Sequence, residues 1–147
     1  MSIKNFSIAI AIAVLALACE DPVTLENQKW DEVMALHDEV MPQMSEINRL
    51  SRSLREYKKN REAVDPQVEQ RIDAAIQELG AAEESMWEWM NNLKQLDGLR
   101  EKMSHDEIMN YLNEEKATIE QVRDSMLGAV ENAKKLAEEF EIPPASQ

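Results

Sequence analysis

Apolar side chains recur along most of this chain at intervals of three and four residues, the spacing that gathers them on one face of an α-helix. The first such stripe predicts a helix from Thr24 to about Glu62, with Val33, Leu36, His37, Val40, Met44, Ile47, Leu50, Leu54 and Tyr57 along one side. Pro42 falls inside it. Lacking an N–H and crowding the carbonyl of Asp38, a proline there costs about 3 kcal/mol in a helix interior, so a kink is expected. The second stripe begins at Asp65-Pro66, an N-cap followed by proline at the first helical position, where no hydrogen bond is lost. It reads Val68, Ile72, Ala75, Leu79, Ala82, Met86, Trp89, Met90 and Leu93, and Gly98 is expected to close it in the left-handed conformation. Ser104-His105-Asp106-Glu107 then forms a capping box. It opens a third stripe of Ile108, Leu112, Ile119, Val122, Met126, Ala129, Ala133, Leu136 and Phe140.

Short connections at 63–65 and 98–103 make neighbouring helices antiparallel. The fold class expected is therefore all-α, an up-down-up three-helix bundle over residues 24–140, with a long helical hairpin that completes its core by self-association as the alternative. Pro143-Pro144 ends the last helix, and residues 141–147 are expected to form a flexible tail. The chain has only three glycines and hardly any β-branched runs, which leaves little from which to build a sheet.

The first eighteen residues differ in kind. Lys4 leads into an apolar run from Phe6 to Ala18, shorter than the roughly 20 residues that a bilayer-spanning helix needs. It reads as an export signal. Cys19, the single cysteine of the chain, rules out an intramolecular disulfide. It follows Leu15-Ala16-Leu17-Ala18, which resembles a lipobox although Ala16 stands where leucine is commonest. The expectation is a signal peptide over 1–18, then a diacylated Cys19 and short linker over 19–23, with the acyl chains holding the protein on a membrane.

The net charge of −13 should repel nucleic acid and anionic lipid head groups, so the expected partners are the membrane, through the lipid, and an envelope protein, with no nucleic acid. Arg49, Arg52, Arg55, Lys58, Lys59 and Arg61 form a basic run. It lies at a helix C-terminus, where the macrodipole favours cations, and in the bundle it would face Asp65, Glu69 and Asp73. The chain shows no glycine-rich phosphate loop, no nucleophile beside a histidine and an acid, and no His-Glu-x-x-His pair, so it is read as non-enzymatic.

Methionine, histidine and tryptophan are unevenly placed. An antiparallel turn near residue 64 sets His37 opposite about residue 91 and Met41 opposite about residue 87. Met34, Met41, Met44, Met86, Met90, Met103 and Met109 then gather toward one end with Trp30, Trp87, Trp89, His37 and His105. Three readings stand. The cluster can fill an irregular core around Pro42, which flexible Met does well. It can be a contact surface, with Met34, Met44, Trp87, Trp89, His105 and Met109 as its residues. Or His37, Met41, Met86 and Met90 can hold Cu(I), which thioether and imidazole ligands select. No other cofactor is expected.

The string His37 to Met44, HDEVMPQM, together with Met86-Trp87-Glu88-Trp89-Met90, resembles a group of small lipoproteins from Bacteroidota genomes that go under the label "viral A-type inclusion protein". Members carry an HDEVMPKM string, so Gln43 replaces the usual lysine. The resemblance implies a lipoprotein of a Gram-negative cell envelope, with the outer membrane as its expected location and no assigned function.

Overall fold

A computed structural model describes residues 21–61 and 65–145, and among them the chain forms helices and no strand. The helices are α1 (Pro22–Val40), α2 (Gln43–Lys59), α3 (Pro66–Asn92), α4 (Leu96–Arg100) and α5 (His105–Glu139).

Local chemistry explains most of the boundaries. Asp65 accepts from the N–H groups of Gln67 and Val68 at 2.8 and 3.4 Å, satisfying donors that the first turn leaves free. Asp21-Pro22 repeats this arrangement, with Asp21 accepting from Thr24 N–H at 3.3 Å, so α1 starts at Pro22, two residues before the expected Thr24. At α5 the Glu107 carboxylate accepts from the Ser104 N–H at 2.8 Å and its hydroxyl at 2.7 Å. Pro42 separates α1 from α2. Met41 and Pro42 both keep right-handed helical torsions, so the long first helix bends at this point and continues.

Two local expectations are corrected. The second helix stops at Asn92, with Leu93 extended, and residues 96–100 form the separate short helix α4. Gly98 lies inside α4, where no glycine takes a positive φ, and so closes nothing. The C-terminal segment is also held as far as Ala145. Glu141 has φ 50° and lets the Ile142 N–H reach Ala137 O at 2.8 Å, an αL closure of α5. Ile142 is buried, and Ala145 N–H donates to Ser53 Oγ at 2.7 Å.

Side-chain ties fix the directions. Glu26 meets His105, Glu32 meets Lys116 and Glu46 meets Lys134, so the bent α1–α2 helix runs parallel to α5. Arg71 meets Glu139 and Asn132 meets Glu78, which makes α3 antiparallel to α5. Lys58 bridges Glu69 and Asp73, and Asn48 reaches Glu83, which makes α3 antiparallel to α2. The result is an up-down-up bundle. Its main core includes Val40, Ile47, Leu54, Ile72, Leu79, Met86, Ile119 and Met126. A small second core at the α4 end contains Leu96, Leu99, Ile108 and Leu112, with Trp30, Met103 and Tyr111 packed on it.

The ion pairs make stability depend on acid. Glu32 is lowered to about 2, chiefly by its hydrogen bond to Lys116 and then by that to Lys29. Glu46 is also lowered to about 2, first by Arg49, against the opposing effect of burial, and then by Lys134. Because the folded values lie below the ordinary 4.5, the unfolded chain protonates first. This stabilisation is therefore complete above pH 4.5 and is lost as pH falls toward 2. A Glu32→Gln/Glu46→Gln variant should lose less stability than the parent between pH 7 and pH 3 in urea titrations. Parallel losses would show that these pairs do not carry the effect.

Candidate functional site

His37 lies one turn before the end of α1. Its Nδ1 is 2.9 Å from Asp38 Oδ1, and its ring centroid is 5.7 Å from that of Trp89, with the planes tilted by 31°. Further along, Asn48 reaches Glu83 at 3.3 Å. Met86 is wholly buried in the main core, and Met41 and Met90 are half-buried against it. Trp89 is 4% exposed, and its Nε1 is a buried donor with no acceptor. The structure therefore sets the His37 ring against Trp89, with Met86 inside the main core and Met41 and Met90 at its margin.

The other residues of the expected contact surface are scattered. Met44 and Trp89 are buried and belong to the core. Met34 and Met109 are half-buried, and Met103 packs with Trp30 on the small core. Trp87 is 50% exposed on α3, one of the few large apolar side chains left to solvent among the described residues.

The two histidines do not share a site. His105 is held at the start of α5 by Glu26, eleven residues before His37 on α1, which is about 16 Å along the helix at 1.5 Å per residue. Glu26 is 3% exposed. It accepts from Arg100 Nε at 2.8 Å, and its other oxygen lies 2.9 Å from His105 Nδ1. Arg100 also donates to Asn27 Oδ1 at 2.9 Å and to the Val23 carbonyl at 3.3 Å. Burial alone would push Glu26 up; the hydrogen bonds from Arg100 and His105 outweigh it and hold the carboxyl below its ordinary range. This cluster ties α1 to α4 and α5, and the sequence reading missed it. A signal was present, since Glu26 continues the apolar stripe of Trp30, Val33 and Val40 at helical spacing.

Of the basic run on α2, Lys58 meets Glu69 and Asp73 as expected, while Arg49 turns to Glu46 and Arg61 lies 4.2 Å over the Tyr57 ring. Glu139 pairs across to Arg71 of α3. The surface recesses among the described residues include open grooves of about 240 to 470 Å³. Among the described residues no group of three or more His, Cys, Asp and Glu could hold a metal ion. No helix among them is long and apolar enough to cross a membrane.

The chain matches no curated protein and no solved structure. Residues 15–112, more than half of its length, match the fungal specific transcription factor domain. This overturns the likeness to Bacteroidota lipoproteins, and with it the bacterial envelope role, the outer-membrane location and the membrane and envelope-protein partners. The matched stretch begins at residue 15, inside the apolar run read as an export signal and ahead of the expected cleavage point. Cys19, the residue expected to be lipidated, lies outside the described residues. The exclusion of nucleic acid falls as well, because a net charge sums over a whole surface and does not determine what a transcription-factor domain contacts. The two strings that carried the likeness cover the packing level around Trp89, where a helical core places the same demands on unrelated chains. The chain belongs to the family of the fungal specific transcription factor domain.

Proposed function

We propose that the chain is a non-enzymatic regulatory domain that acts by contact with a protein partner. The observation that carries this reading is the match of residues 15–112 to the fungal specific transcription factor domain. Glu26, Glu32, Glu46, Glu107, Glu131 and Glu139 are all held low by hydrogen-bonding partners. Tyr111 is pushed to about 12, mainly by burial and partly offset by the Lys94 N–H it accepts. Their bonds hold helices and caps together.

Contact chemistry is better supplied. Trp87 presents an exposed indole, the side chain type that most often anchors interfaces. The surface around it belongs to a chain of net charge −13, which favours a basic protein surface and speeds the encounter. The test tethers the full chain to a heterologous DNA-binding domain in a fungal cell and reads reporter transcript. The expected result is a several-fold change in transcript that Trp87→Ala reverses while helical content is unchanged. Equal transcript from the fusion and from the DNA-binding domain alone would overturn the proposal.

A further inference from the structure

We infer that the groove between α3 and α5 beside Trp89 binds a small organic ammonium compound that also carries hydroxyl or carbonyl oxygens. The inference does not depend on the regulatory reading.

The groove has a volume of about 440 Å³ and is open to solvent. Positions 81, 85, 88 and 92 of α3 and positions 115, 118, 122 and 125 of α5 line it, spacings of three and four that make each wall a single helix face. Trp89 and Val122, both buried, also line it. A space of this size takes a ligand as large as a monosaccharide.

The lining selects the ligand. Ser85 Oγ donates to the Ala82 carbonyl and Thr118 Oγ1 to the Glu114 carbonyl, each at 2.9 Å, so both hydroxyls spend their hydrogen on their own helix and keep only lone pairs for a ligand. Glu88 and Glu115 stand on opposite walls, and neither joins an ion pair among the described residues. Two carboxylates and two such hydroxyls make an acceptor-rich site, which calls for a charged donor, and an ammonium brings three hydrogens. A metal ion is the poorer occupant, because among the described residues no third His, Cys, Asp or Glu joins the two carboxylates. Trp89 makes the opposite demand. It is 4% exposed and its Nε1 is a donor without an acceptor, a state that costs free energy for as long as it stays unpaired. A ligand oxygen at the base of the groove meets that demand, while the indole and Val122 offer apolar surface to the carbon skeleton.

The experiment adds glucosamine to the full chain in mildly acidic buffer, where the amine of the sugar is protonated. Binding is followed on the indole N–H resonance of Trp89, assigned by its loss in Trp89→Phe. The expected result is a saturable shift of that resonance with a dissociation constant on the order of 1 mM, ordinary for so small a ligand. Glucose has the oxygens without the charge, and spermidine has the charge without an oxygen. Each should bind at least about tenfold more weakly, since each meets one of the two demands. Glu88→Gln/Glu115→Gln keeps the shape of the groove and should weaken glucosamine binding by about tenfold or more at unchanged helical content. If the Trp89 resonance does not move, or if spermidine or the double variant matches glucosamine on the parent chain, the site does not exist.

Discussion

Arg100→Met should destabilise the domain by about 3 kcal/mol, the lower end of the cost of breaking a buried ion pair. Glu26 would remain 3% exposed with its negative charge facing an apolar side chain and only His105 as a partner. The lower end applies because the Arg100 side chain is still 26% exposed, so water would take over part of its role. The double variant Glu26→Leu/Arg100→Met should recover most of that loss, since removing both charges also removes their desolvation and leaves apolar side chains beside Leu96 and Leu99. Urea titrations of the parent, both single variants and the double variant complete a thermodynamic cycle whose coupling term reads the pair directly. A cost below about 1 kcal/mol for Arg100→Met would place the pair among ordinary surface salt bridges.

Leu79→Ala should cost about 2 to 5 kcal/mol, the range of buried leucine truncations that leave a cavity. Leu79 is wholly buried on α3, between the α2 and α5 sides of the main core. Neighbouring helices on two sides cannot collapse into the space without moving whole elements. Leu79→Met keeps most of the volume and should cost less than about 1.5 kcal/mol. Leu127→Ala is the contrast, because Leu127 is 42% exposed and its truncation should stay within about 0.5 kcal/mol. The check is a lowered urea midpoint at unchanged slope for Leu79→Ala. Equal costs at positions 79 and 127 would mean that the main core is not packed as described.

Asp65-Pro66 and Ser104 through Glu107 mark helix starts because capping bonds join groups within three residues, and nothing distant can override them. The same logic applied to Asp21-Pro22 would have located the start of α1. The level at which His37 meets α3 was also legible, since a short connection fixes the offset of two antiparallel helices. The short helix α4, the break at Leu93 and the held C-terminal segment were not. Bonds to remote elements accompany all three: Arg100 to Glu26 for α4, Tyr111 Oη accepting from Lys94 N–H beside the break, and Ser53 Oγ accepting from Ala145 N–H.

By itself, then, the sequence determined the helical class, the caps, the buried stripes and the bend at Pro42, because periodicity and capping are set by residues a few positions apart. It did not determine kinship, since short strings within an amphipathic helix reflect packing more than descent. The tertiary structure decided which helix each stripe faces, that His105 stands apart from His37, and that Trp89 is enclosed while Trp87 is exposed. It also decided that a carboxylate at position 26 can be buried. The reason is distance along the chain: Glu26 is held by Arg100, 74 residues away, and no local pattern encodes a partner that only folding brings near.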